Sequence, residues 1–148
     1  MYAAELIESD LSQIVTVDTP AAGAGQTFKY SGSEFWRVRA VSFQLVTSVT
    51  VASRIVYLDM LDGDGKRLGR FSSGYTQTAS LTSVYTFGVG MNVYGANAAA
   101  SIGAPLPDLW LRKGCELSIG VTAIDTTDQL SAIRVTLDQV FAGSYADG

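Results

Sequence analysis

Helical periodicity is nearly absent from this chain. Val, Ile, Thr, Tyr and Phe recur in short runs separated by Gly, Ser, Asp and Asn, which is how strands and turns are written into a sequence. The fold class that follows is all-β. Leu11 to Val17 reads as a strand closed by Asp18-Thr19-Pro20 and the small-residue tract Ala21 to Gly25. From Glu34, Trp36, Val38 and Ala40 alternate with Arg37 and Arg39, after which Val41, Phe43 and Leu45 take up the apolar positions. The apolar phase slips by one near Ala40–Val41, as a β-bulge or a change of neighbour requires.

Ser53 to Leu61 and Arg67 to Ser73 flank Asp62-Gly63-Asp64-Gly65-Lys66, which predicts a hairpin whose glycines take the positive φ of a tight turn. Leu81 to Phe87, a short run at Leu109–Leu111, Cys115 to Ile124 and a closing run at Ile133, Val135 and Leu137 supply further strands. In the second-last of these, Leu117, Ile119, Val121 and Ala123 are expected to face inward; in the last, Arg134, Thr136 and Asp138 are expected to face outward. The total is about eight strands, which suits a jelly-roll antiparallel sandwich better than an up-and-down barrel. An immunoglobulin-like sandwich is the alternative, although the cysteine pair that would support it is missing. The expected organisation is an N-terminal arm over residues 1–10, one sandwich over 11–141 and a C-terminal tail over 142–148.

Ten Lys and Arg against fourteen Asp and Glu give a net charge of −4, so there is no electropositive footprint for a nucleic acid. No His is present, which removes the commonest general base and the commonest transition-metal ligand. A serine triad would therefore have no base, and no Gly-x-Ser-x-Gly occurs. The single Cys115 cannot form an intrachain disulfide or build a zinc site alone, and is expected as a buried thiol. The first ten residues carry neither a basic region nor an apolar stretch, so a secretory signal is not expected, and no run of apolar residues is long enough to cross a membrane as a helix.

Asp62 and Asp64 begin like a calcium loop, but Lys66 and Ser73 stand where the fifth and twelfth ligands belong. A structural turn is the expectation, with no metal, cofactor or catalytic residue. Paired carboxylates for glycoside chemistry are conceivable as Asp125 with Asp128, or Glu116 with Asp138 across adjacent strands, yet Asp125-Thr126-Thr127-Asp128 reads first as turn chemistry. Trp36 is expected in the core. Trp110, between two leucines, is the candidate for a sugar-stacking surface.

The most unusual feature is the silence of charge between Arg70 and Asp108, where thirty-seven residues, Phe71 to Pro107, carry no ionisable acid or base of the Asp, Glu, Lys or Arg type. Depletion of charge marks the cores of interfaces, so this segment is expected in contact with another chain through Met91, Asn92, Tyr94, Asn97, Ala98, Ala100 and Ile102. The arm adds Tyr2, Leu6 and Ile7, apolar residues set among Glu5 and Glu8, expected to be ordered by a partner.

The run Glu34-Phe35-Trp36-Arg37-Val38-Arg39-Ala40-Val41-Ser42-Phe43, then Arg54-Ile55-Val56-Tyr57-Leu58-Asp59 and the Asp-Gly-Asp-Gly turn, resembles small β-sandwich structural proteins of tailed bacteriophages. Pro105-Leu106-Pro107-Asp108-Leu109-Trp110-Leu111, the strand from Cys115, its polar turn and the strand through Ile133-Arg134-Val135 are similar to the C-terminal half of the same proteins. The resemblance covers roughly residues 34–141, leaving out the N-terminal arm and the Gly/Ala/Asn loop. It implies a non-enzymatic decoration or cement protein made in the host cytoplasm and seated on the outer capsid surface of the virion, with the major capsid protein and its own copies, as a homotrimer, for partners. It implies no nucleic acid and no membrane among those partners. The alternative is a carbohydrate- or receptor-binding module of a phage particle.

Overall fold

A computed structural model describes residues 10–95 and 100–140. It contains ten strands: β1 (Asp10–Val17), β2 (Gln26–Lys29), β3 (Phe35–Val46), β4 (Arg54–Leu61), β5 (Arg67–Gln77), β6 (Thr82–Val89), β7 (Ser101–Leu106), β8 (Trp110–Arg112), β9 (Glu116–Val121) and β10 (Gln129–Val140). One sheet runs β1-β10-β3-β6-β7 with β8 also on β3, and the other runs β2-β9-β4-β5. The chain changes sheet at each step from β1 to β4, again between β5 and β6, and at both steps from β8 to β10. With β7 and β8 set aside, this order is that of a jelly roll, two four-stranded antiparallel sheets wound as a double Greek key. The immunoglobulin-like alternative does not form. No helix long and apolar enough to cross a membrane occurs among the described residues.

Alternation makes the core. Val41, Phe43 and Leu45 of β3, Tyr85 and Phe87 of β6, Val56 and Leu58 of β4 and Leu117 and Ile119 of β9 are all buried. Near one end Trp36 packs on Tyr30 at 5.1 Å and edge-on to Phe28 at 6.3 Å, and its indole N–H donates to the Arg112 carbonyl at 2.9 Å. Towards the other, Phe43 stacks on Tyr85 and Phe87. The predicted phase slip is real: Thr136 faces Ala40 while Leu137 faces Val38, leaving Arg39 as the extra residue.

Three expectations need correction. Ala123 is exposed and turns at φ 52°, because β9 ends at Val121. Asp138 does lie on the outward side of β10 but is only 4% exposed, since Ser12 Oγ donates to it at 2.6 Å and Arg37 and Arg39 cover it at 3.1 and 3.2 Å. Glu116 and Asp138 belong to different sheets, so they are not an adjacent-strand pair.

The end of the sandwich where the sheets exchange strands is closed by an ion pair. Arg54 Nε donates to Asp128 Oδ2 at 2.8 Å and Nη2 to Oδ1 at 3.0 Å, and both side chains are fully buried. The remaining guanidinium donors reach the Thr50 and Ala52 carbonyls and Ser48 Oγ, so all five are satisfied. Asp128 also accepts the Ser48 and Asp125 backbone N–H groups at 2.8 and 2.9 Å. Its own carbonyl accepts the Gly23 N–H at 2.8 Å. One pair thus holds the β1–β2, β3–β4 and β9–β10 crossovers together. At Gly23 a Cβ would come within 2.8 Å of the Thr126 backbone, so glycine is needed for that approach.

Arg54→Met should cost about 3–5 kcal/mol in denaturant unfolding, because it strands a buried carboxylate. Arg54→Met combined with Asp128→Leu should cost less than that single change. Burial works against the Asp128 carboxylate, but the Arg54, Asp125 and Ser48 hydrogen bonds outweigh it and lower its pKa. At Asp138 burial is likewise outweighed, by Ser12 and the two arginines. A lowered folded pKa gives stability that is complete above the unfolded value of about 4 and lost as pH falls through the folded value. With no His in the chain, melting temperature should be level between about pH 5 and 8 and fall steeply below about pH 4. Asp128→Asn should flatten that fall.

Candidate interaction surface

Much of the charge-silent segment is built into the sandwich itself. It forms the end of β5 and all of β6 and β7, with Tyr75, Tyr85, Phe87, Ala104 and Leu106 in the core. Ile102, expected at an interface, is 1% exposed because it points inward from β7. Met91, Asn92, Tyr94 and Ala100 are described and lie at or near the β7 side of the sheet; Tyr2, Leu6, Ile7, Asn97 and Ala98 lie outside the described residues.

What charge silence creates instead is an outward face. Strand register sets Ala40 beside Gly88 and Pro105, Ser42 beside Thr86 and Gly103, and Gln44 beside Val84 and Ser101, with Val46 next to Thr82 at the end. No charged residue stands at any of these positions. Val46 and Val84 are 39% and 41% exposed. Beyond them, Val49 and Val51 stand almost fully exposed on the crossover that Arg54 grips.

Residues 90–95 border this face. β7 runs parallel to β6, so the chain must double back between them. It does so beside β7, where Tyr94 and Gly103 exchange backbone hydrogen bonds at 3.1 and 3.0 Å. A Cβ at Gly103 would lie 1.8 Å from the Tyr94 ring, and one at Gly88 would lie 2.6 Å from Met91 Sδ. Glycine in both places lets Met91 and Tyr94 lie down on the sheet. Asn92, Val93 and Tyr94 remain exposed.

The charges of the same sheet gather elsewhere, on β10 and the start of β3. Arg37 bridges Asp138 and Asp108, and its guanidinium sits 4.9 Å from the Trp110 ring centroid. Trp110 is 40% exposed and Trp36 fully buried, so the two tryptophans divide as the sequence indicates.

The residues considered for chemistry have structural partners. Asp62 Oδ1 accepts the Asp64 and Lys66 backbone N–H groups at 2.9 and 2.8 Å, fixing the hairpin turn. Asp125 is lowered in pKa chiefly by Thr127, with help from Ser48, and Asp128 serves Arg54. Among the described residues no group of three or more His, Cys, Asp or Glu is placed to hold a metal. Cys115 is buried. Sequence reasoning gave Arg54 no structural role; the signal available was an arginine opening a strand whose next four residues are uncharged.

No family model matches the chain, and no curated protein sequence matches it. Among solved structures it is similar to a chain of the T13 viral particle of IBDV, at 14% identity and a TM-score of 0.44, covering 93% of this chain and 33% of that one. A second is latent PorU from Porphyromonas gingivalis, at 10% identity and a TM-score of 0.48, over 89% of this chain and 13% of that one. A third belongs to Bacillus endospore appendages, described as disulfide-linked pili, at 8% identity and a TM-score of 0.38, over 90% of both chains. This chain spans a third or less of the first two.

Val84→Glu should leave unfolding free energy within about 0.5 kcal/mol, as exposed substitutions do, while weakening self-association measured by sedimentation velocity. Unchanged association would show that this face is not where copies of the chain meet.

Proposed function

We propose that this chain is a non-enzymatic structural protein of a virus particle, a decoration protein that sits on the outer capsid surface of a tailed phage and ties neighbouring capsid subunits together. The observation that carries the proposal is the uncharged outward face of β3, β6 and β7, bordered by Met91 and Tyr94. Small uncharged side chains on a flat sheet admit another backbone at close range, and exclude water without burying an unpaired charge.

The size of the face argues for multivalency. At about 3.4 Å per residue and 4.8 Å per strand it measures about 20 by 14 Å, well below the roughly 800 Å² per partner of a standard stable interface. One copy held by this face alone would bind weakly. A trimer contacting several subunits at once multiplies such contacts, and a ligand that binds only the assembled lattice stabilises it by mass action. The likeness of residues 34–141 to phage structural proteins fits this role, as does the structural employment of Asp62, Asp125, Asp128 and Asp138.

A second reading, a glycan- or receptor-binding module, is favoured by one observation, the exposed ring of Trp110. Sedimentation equilibrium and particle binding separate the two. The decoration reading expects a trimer that pellets with intact particles and raises the temperature at which they release DNA, with both effects lost in Val84→Glu. A monomer that leaves particle stability unchanged, and binds glycans in a manner abolished by Trp110→Ala, would overturn it.

A further inference from the structure

Strands β1 and β7 end one sheet, and β2 and β5 end the other. Three of these edges are guarded in the ways that keep an edge from recruiting a foreign strand. β2 is four residues long and finishes on Lys29. β5 carries Arg67 and Arg70, and its register slips between Ser72 and Thr76, where Gly74 turns at φ 69°. β7 contains Pro105, and its Gly103 already exchanges backbone hydrogen bonds with Tyr94. β1 has none of these guards. It pairs with β10 through eight consecutive residues without a bulge, contains no Gly or Pro, and carries no charged residue from Leu11 to Val17. No described residue pairs with its other side.

The outward residues of β1 make this edge complementary to itself. Val15 and Val17 pack on the core, so Ser12, Ile14 and Thr16 face out. Ile14 is 67% exposed, more than any other large apolar side chain of a strand among the described residues. When two β1 strands run antiparallel about a two-fold axis at Ile14, Ile14 meets its own copy and Ser12 meets the partner's Thr16. The first contact takes two exposed aliphatic side chains out of water. The second joins hydroxyls: Ser12 gives its proton to Asp138 at 2.6 Å, so its oxygen is left to accept from the partner's Thr16. One step past Val17 the pairing would set Asp18 opposite the partner's Asp10, and like charges end it there.

We propose that the free edge of β1 is a docking site for the β1 edge of a second copy, which joins two six-stranded sheets into one across a two-fold axis at Ile14. Backbone hydrogen bonds supply the attraction, and Ile14 sets the register. Seven paired residues make a contact about 23 Å long and one strand edge wide, far below the roughly 800 Å² per partner of a standard stable interface. The contact therefore forms where copies are already held close. β1 stands at the opposite end of the sheet from β6 and β7, so the proposal does not rest on the capsid role.

Disulfide trapping of the full chain tests partner and register together, because Cys115 is buried and does not compete. Ile14→Cys brings two thiols onto Cα positions about 5 Å apart, within disulfide reach, and should give a covalent dimer on mild oxidation. Leu68→Cys, on β5 and also exposed, should cross-link only at the slower rate of random collision. Ser12→Cys alone sets its Cα positions about 14 Å apart and should lose the cross-link; mixing it with Thr16→Cys should restore it. Adding Ile14→Lys to both members of that mixture should abolish it again with circular dichroism unaltered. All of this should persist in a Val84→Glu background, which separates the β1 contact from the uncharged face. The proposal fails if Ile14→Cys cross-links no faster than Leu68→Cys, or if the mixed cross-link survives Ile14→Lys. It fails equally if Ser12→Cys alone cross-links as readily as Ile14→Cys, because the strands would then meet in another register.

Discussion

A jelly roll must carry its chain between two sheets again and again, and each passage leaves backbone polar groups at the end of the sandwich without ladder partners. Here three of those passages converge on the Arg54–Asp128 pair. The pair is buried, so it is weak evidence of net stability against an apolar substitute. Its contribution is to specify: five guanidinium donors and two carboxylate oxygens can all be satisfied only if Ser48, Thr50, Ala52 and Asp125 occupy their observed places, while the Asp128 carbonyl holds Gly23. The valines of the neighbouring crossover inherit their position from that network.

The six-stranded sheet separates its outward face into two chemistries. On β10 and the beginning of β3, Asp138 gathers Ser12, Arg37 and Arg39, and Arg37 in turn lies over Trp110. On the rest of β3 and on β6 and β7 no charged residue faces outward. The bulge at Arg39 marks the border. The same irregularity that shifts β3 by one residue also passes its free edge from β8, paired at Phe35–Arg37, to β6, paired from Ala40 onward.

The β3 pattern, the β4–β5 hairpin and β10 were legible because apolar and polar residues alternate along most of their length and the hairpin turn carries Asp and Gly. β7 was not. Ser-Ile-Gly-Ala-Pro-Leu contains the two residues that ordinarily punctuate loops, yet at the edge of a sheet Pro105 costs little in the ladder and Gly103 makes room for Tyr94. β2 was missed because four residues give alternation too little length to show. The clamp was half visible: Asp128 read as a turn former, which it is, since its carboxylate takes the Asp125 N–H. That it also neutralises an arginine seventy-four positions earlier is a tertiary fact that no local pattern carries.

β10 lies between β1 and β3, pairing Val140 with Asp10 on one side and Phe35 on the other. During synthesis β1 therefore waits for a partner from the far end of the chain, and the carboxylate that joins the crossovers emerges almost as late. Contacts so distant in sequence make folding slow. Until β10 arrives, one side of β3 and all of β1 stay open to foreign strands. The brevity of β2 and β8, and the Pro and Gly of β7, limit what such strands could grip.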